Sequence, residues 1–266
     1  MKGDAVNIVV LVKQVPDTAT RIQDRITGGR LDLDGVTWVI NPYDEYAVEE
    51  ALRIKERQGG TVTLLGLGPD RVDMALKDML ALGADEAIHL QDPAFEGLGA
   101  RGRAQVLAAA IRKLPQAPDM VWAGWKGVDE DQGLVPIYLA QELGWPHLSF
   151  VVELTLEGGR VKVRREVEGG KEVLDAPLPA VITAQKGLNE VRYASLKGIM
   201  AVKRKVIPVW DAAALALDPG GLAAGGVAVE RIERPADRPP GRILQGTPAE
   251  AAAELVRLLR TEAKVI

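Results

Sequence analysis

The sequence predicts an α/β protein: a doubly wound, mostly parallel sheet with helices on both faces, an antiparallel addition and a C-terminal arm. Three observations carry this. From residue 7 to residue 143, short β-branched apolar runs alternate with capped amphipathic segments through short connections. Past residue 149 that rhythm gives way to alternating strands separated by Gly-Gly pairs. From Asp211 onward Ala, Gly and Pro dominate and no period emerges.

The elements follow in order. Asn7–Val12, "NIVVLV", is nearly continuous in its apolarity, as a strand covered on both faces must be. A polar, glycine-containing stretch and the short run Val36–Ile40 come next. Asn41 then reads as an N-cap, Pro42 as the first helical residue and Asp44 as a first-turn carboxylate; Gly59–Gly60 stop that helix. Its buried stripe is Ala47, Val48, Ala51, Leu52 and Ile54. Thr61–Leu67 is a strand, Val72–Leu82 a helix, Glu86–Leu90 a strand, Gly102–Lys113 a helix, Asp119–Ala123 a strand and Gln132–Leu143 a helix. "SFVVELTLEGGRVKVRREVEGGKEVLDAPLPAVITAQ" reads as antiparallel strands. The domain is expected to end near residue 210. Residues 211–266 form the arm, closed by a helix with Thr247 as N-cap, Pro248 at its first position and Glu250 completing a capping box. Leu255, Leu258 and Leu259 give that helix an apolar stripe, which must be buried on its own domain or on another chain.

Composition bounds the function. With 266 residues and 47% apolar content, a large core is available and wholesale disorder is excluded. A net charge of −4 argues against bulk nucleic-acid binding. No cysteine is present, which removes disulfides, iron–sulfur clusters and thiolate zinc sites and fits a reducing, cytoplasmic setting. The N-terminal apolar run is too short for a signal or membrane-spanning segment, so no membrane insertion is expected. His89 and His147 lack metal-ligand spacing and read as structural. With neither a nucleophile elbow nor a Walker A loop, no catalytic residue and no metal site is expected.

What remains is a set of strand-end loops. "VKQVPDT" (12–18), "GLGPDR" (66–71) and "GWKGVDEDQG" (124–133) each follow a strand, and in a parallel sheet ligands bind where such loops converge. "GLGPDR" lacks a third glycine, so it is either a tight strand–helix turn or a place where backbone approaches a phosphate. Asp129, Glu130 and Asp131 are either dipole-complementing charges on the helix expected from Gln132 or part of a loop whose glycines let backbone N–H groups reach an adenine or a phosphate. A second feature stands apart: "VRYASLKGIMAVKRK" (191–205) places Leu196, then Ile199–Met200, in a polar run that ends in cations. Leu196 reads as a partner anchor, or else as a core or subunit-interface residue.

These motifs resemble the β subunit of electron transfer flavoproteins. The resemblance runs from about residue 5 to 210 through "VKQVPDT", "INPYDEYAVEEALRIKE", "ALGADEAIHL", "GWKGVDEDQ", "ELGWP", "REVEGGKEVLDAPLPAVITA" and, most specifically, "LNEVRYASLKGIMAVKRK". It implies an adenine-nucleotide-α-hydrolase-like fold and a non-catalytic electron-carrier subunit. Its partner would be an α subunit that holds the electron-carrying FAD. It also implies a nucleotide pocket in this chain, occupied by AMP or, in electron-bifurcating members, by a second FAD. By motif position that pocket includes Leu11, Asn41, Pro42, Tyr43, Asp44 and Leu67, together with Lys126, Gly127, Val128, Asp129, Asp131, Gly133, Leu134 and Val135. The 188–205 segment matches the family's recognition loop, with Leu196 as the anchor for flavoprotein dehydrogenases of the acyl-CoA type and Tyr193, Ile199 and Met200 beside it. Glu166 matches the acid that holds the α subunit's FAD domain, and electrons would leave towards an electron-transfer-flavoprotein–quinone oxidoreductase. One departure matters: "QGLVP" (132–136) stands where ordinary members carry Asn-Gln-Thr-Gly, which removes a hydroxyl near the nucleotide phosphate. A stand-alone adenine-nucleotide-binding stress protein is the remaining alternative, and the long arm argues against it.

Overall fold

The computed structural model describes residues 5–223, 227, 229–237 and 240–266. Its elements run β1 (Val6–Val12), β2 (Gln14–Pro16), β3 (Ile26–Thr27), β4 (Arg30–Leu31), β5 (Trp38–Ile40), α1 (Pro42–Gln58), β6 (Gly60–Leu67), α2 (Val72–Ala81), β7 (Glu86–Leu90), α3 (Ala100–Lys113) and β8 (Met120–Gly124). They continue with α4 (Val135–Leu143), β9 (His147–Glu157), β10 (Arg160–Val167), β11 (Gly170–Pro177), β12 (Ala180–Ala184), α5 (Leu196–Val202), β13 (Val209–Trp210), α6 (Pro219–Ala223) and α7 (Pro248–Leu258). Among the described residues, nine strands form the main sheet in the order β11-β10-β9-β12-β8-β1-β6-β7-β13. β1 lies at its centre, parallel to both neighbours, with Ile8 opposite Val62 on one side and Met120 on the other.

Pleating explains the two cores. Side chains alternate across β1, so Ile8 and Val10 enter one layer with Val48 and Leu52 of α1, Leu76 of α2, and Trp122. Val9 and Leu11 enter the opposite layer with Val106 and Ile111 of α3 and Leu139 of α4. This is the doubly wound arrangement expected.

β9, β10 and β11 form the antiparallel ribbon, with Val163 opposite Leu154 and Leu174. The turn Gly158–Gly159 takes positive φ at both residues (58° and 72°), the conformation a tight hairpin needs and glycine adopts without penalty.

Three features differ from the sequence expectation. β12 does not extend the ribbon; it runs parallel between β9 and β8 and is buried at every position. An apolar run such as "AVITA" carries no signal of direction, and only two-sided coverage marks it as a central parallel strand. The fourth helix begins at Val135, not at Gln132, because Asp131 and Gly133 adopt positive φ (54° and 62°) that a helix cannot accommodate. The chain also stays on the domain past residue 210. β13 pairs with β7, and Ala212, Leu215 and Leu222 are buried in the second core. Beyond that point Ile232 N–H donates to Gly29 O at 2.9 Å. The last helix has the expected capping box between Thr247 and Glu250, yet none of its residues is buried.

Candidate functional site

A cleft of about 570 Å³ opens at the carboxyl ends of β1, β6 and β8. The chain winds from β1 through β6 to β7 on one side and then crosses to β8 on the other, so the cleft lies at the topological switch point. Leu11, Leu65, Leu67 and Ala123 contribute apolar lining at the strand ends.

Asp44 holds the cleft together. It projects from the first turn of α1, is buried, and accepts from Lys13 N–H at 2.7 Å and from Gly124 N–H at 2.8 Å. One carboxylate thereby ties the end of β1 to the end of β8. Burial raises its pKa to about 6, against the opposing pull of the Lys13 N–H, the Asn41 side chain and the Gly124 N–H. Asn41 sits at the predicted N-cap position, but its side chain does not cap the helix. Instead Nδ2 donates to Lys126 O at 2.9 Å and Oδ1 accepts from Val128 N–H at 3.2 Å, fastening the 124–133 loop. Gly124 is required here by space: a Cβ would lie 2.5 Å from Asp44 Oδ1 and 2.6 Å from Tyr43 Cβ.

The acidic run serves the loop, not a helix dipole. Asp129 pairs with Lys13 at 2.8 Å, Glu130 with Arg103 at 2.9 and 3.1 Å, and Asp131 with Lys126 at 2.8 Å. Burial pushes the Glu130 carboxyl up, but Arg103 and Lys13 outweigh it and hold the group below the usual range. Arg71 stacks 3.6 Å over the Trp38 ring at the cleft wall. Gln14 also lines the cleft, and its Oε1 is buried without a hydrogen-bond partner.

Of the sequence-predicted pocket residues, Leu11, Asn41, Asp44, Leu67, Lys126, Gly127, Asp129, Gly133, Leu134 and Val135 line this cleft. Pro42, Tyr43, Val128 and Asp131 are not among its lining. Pro42 opens α1, and Tyr43 packs edge-on against Trp125 with ring centroids 5.5 Å apart. Val128 turns its N–H to Asn41, and Asp131 faces solvent beside Lys126. Glu130, read with Asp129 and Asp131 as a possible loop residue, also lines the cleft, whereas Lys13, Gln14, Arg71 and Arg103 were not singled out. The first two lie inside "VKQVPDT" and were within reach of it, whereas Arg103 joins only through folding, since it sits on α3.

The other predicted residues lie elsewhere. Leu196 opens the short helix α5 and is not in a loop; Ser195 caps that helix, its Oγ accepting from Gly198 N–H at 3.1 Å. Leu196 is 78% exposed, and Tyr193, Ile199 and Met200 are exposed with it. Glu166 is exposed on β10, in the antiparallel ribbon. His89, as expected of a structural residue, is buried with Nε2 2.8 Å from Gly68 O. Among the described residues no His/Cys/Asp/Glu cluster could hold a metal, and no helix is long and apolar enough to cross a membrane.

The electron transfer flavoprotein domain family matches residues 29–215. The electron transfer flavoprotein subunit beta of Bacillus subtilis is 39% identical over 98% of this chain and 100% of its own length. The chain belongs to the electron transfer flavoprotein β-subunit family. Members of that name from Thermoanaerobacterium thermosaccharolyticum (38% identical, covering 96% of this chain and 98% of the relative) and Megasphaera elsdenii (37%, covering 90% and 91%) are similar over nearly the same span. The residues matched by the electron transfer flavoprotein domain include α5 and most of the cleft lining, while the β1-end residues Leu11 to Gln14 and α7 lie outside them.

Proposed function

We propose that the chain is the β subunit of a heterodimeric electron carrier that takes electrons from flavoprotein dehydrogenases of the acyl-CoA type. Its α subunit holds the electron-carrying FAD, and electrons pass on towards a quinone oxidoreductase. In this reading the β chain binds AMP in the cleft as a structural ligand and presents Leu196 to the dehydrogenase. Its residues move no proton and form no bond to substrate; they bind, orient and dock.

The observation that carries the reading is the apolar tip at α5. A 78%-exposed leucine beside an exposed tyrosine and methionine has no role in the chain's own core. Burying it on a partner contributes roughly 1.5–3 kcal/mol. That suits a contact made and broken at each electron delivery, and it is too little for a permanent complex. Lys203, Arg204 and Lys205 follow the tip and suit an acidic partner surface, with an attraction that weakens in salt. For the nucleotide, the support is the cleft's place at the switch point, the glycines at its strand ends, and Lys13, Arg71, Arg103 and Lys126 along its lining.

A second occupant has its own support. "QGLVP" departs from ordinary members at the loop, and the cleft extends outward to Trp38 and Arg71, an aromatic–guanidinium pair suited to a second flavin. The docking claim is tested with Leu196→Ala in the heterodimer. Electron delivery from a reduced acyl-CoA dehydrogenase should weaken by roughly one to two orders of magnitude in apparent affinity. Folding, nucleotide content and subunit pairing should stay intact. If the substitution unfolds the protein or separates the subunits, Leu196 is structural and the docking claim falls.

A further inference from the structure

The tip that carries Leu196 is fed by a segment with no secondary structure of its own. Residues 188–195 lie outside every helix and strand, yet they are fastened along α1 by hydrogen bonds that each use at least one side chain. Asn189 Nδ2 donates to Tyr46 O at 3.0 Å and to Glu50 Oε2 at 3.2 Å. Arg53 Nη2 donates to Glu190 O at 2.9 Å. The tightest point is Arg192. Its Nε donates to Glu49 Oε2 at 2.8 Å, its backbone N–H to the same oxygen at 3.2 Å, and Nη1 and Nη2 to Glu56 at 2.5 and 3.1 Å.

Glu49 is the unusual partner, because its side chain is only 2% exposed. One oxygen, Oε1, accepts from Arg53 at 2.5 Å and from Arg192 Nη2 at 3.2 Å, while Oε2 is held by Arg192 alone. A buried carboxylate oxygen stripped of its donors is costly, so the 188–195 segment cannot lift from α1 without stranding it. On the far side of the tip, Gly198 presses on the end of α2, where a Cβ would lie 2.2 Å from Ala81 O. Lys205 Nζ donates to Asp85 O at 2.7 Å. The projecting helix is therefore pinned before and after its apolar face.

We infer that Glu49 and Arg192 are positioning residues that pre-form the docking tip, holding Leu196 in its binding geometry before the partner arrives. The inference rests on the docking role proposed for Leu196. A seven-residue helix with no buried residue does not hold itself in place. If it were free, each encounter would have to order it, and docking would weaken accordingly. Leu188 and Val202 pack against the core at either end, and the charged clamp between them leaves Leu196, Ile199 and Met200 for the partner.

Arg192→Gln in the full heterodimer tests this, with an acyl-CoA dehydrogenase reduced by its acyl-CoA as the electron donor. The KM for the heterodimer should rise roughly three- to ten-fold while kcat and nucleotide content stay unchanged. Amide exchange over residues 189–202 should accelerate at least about ten-fold without the partner present, a readout that a general loss of stability would spread over the whole chain. Glu56→Gln strands no buried charge, and it serves if Arg192→Gln fails to fold; it should move both readouts the same way by about two-fold. If neither variant changes exchange or KM while Leu196→Ala still raises KM, the docking role stands and the clamp is not a positioning device. If Leu196→Ala leaves KM unchanged, the docking role itself fails and this inference falls with it.

Discussion

Asp44 gives the sharpest pH prediction. Its carboxyl has an ordinary value of 3.8 and is raised to about 6 in the folded chain, chiefly by burial. A group whose folded value lies above its unfolded one takes its proton first in the folded protein. Its stabilisation is therefore complete below the unfolded value and is lost as pH rises through about 6. Between pH 4.5 and 7.5 the two values imply a loss of about 2 kcal/mol from this group alone. Asp44→Asn removes the titration and keeps the size. It also leaves the Lys13 or the Gly124 N–H without its acceptor, a pH-independent cost of about 1–3 kcal/mol. The variant should thus be less stable than the parent at pH 4.5, and the gap should narrow by about 2 kcal/mol on reaching pH 7.5. Urea unfolding of both proteins at matched pH reads this directly, since the other titrating groups cancel in the difference. A gap that stays flat or widens with pH would refute the burial argument for Asp44.

Two other outcomes follow from the same geometry. Gly124→Ala should cost about 1–3 kcal/mol and reduce nucleotide retention, because the new Cβ collides with Asp44 and Tyr43 at the cleft base; unchanged melting and unchanged nucleotide content would contradict this. Deleting residues 241–266 should leave the melting of the isolated chain almost unchanged, since α7 buries nothing in it, but should lower heterodimer stability by roughly 1.5–3 kcal/mol for each leucine the partner covers; unaltered heterodimer melting would show that α7 does not pack on the α subunit.

The layered architecture was legible because β1 and β8 are apolar runs that need cover on both faces, and because α1 announces itself through Asn41, Pro42 and the closing glycines. Direction was not. β12 looks like one more ribbon strand in "LPAVITA", and only its burial between β9 and β8 shows it to be parallel. Local rules also misassigned groups whose partners lie far along the chain. Asn41 was read as a cap because capping is a local interaction, but the 124–133 loop claims its side chain. Asp129 to Asp131 could be first-turn charges or loop residues, and the positive φ of Asp131 and Gly133, which moves the helix start to Val135, places them in the loop. Arg103 carries no motif and Arg192 no distinct role within "LNEVRYASLKGIMAVKRK"; their meaning comes from Glu130 and Glu49, which only folding brings near. Leu196 stood out as a lone aliphatic residue in a polar run, whereas the short helix that presents it did not.

The central claim is that this chain binds an adenine nucleotide in the β1–β8 cleft and leaves the electron-carrying flavin to its partner. The most direct test is the composition of the intact heterodimer: flavin per dimer from its visible absorbance, and the nucleotides released by acid identified and counted. The account predicts one FAD and one AMP per heterodimer. Two FAD and no AMP would place a flavin in the cleft and contradict the AMP assignment, and a well-folded heterodimer that releases no nucleotide beyond its single FAD would contradict the cleft's role altogether.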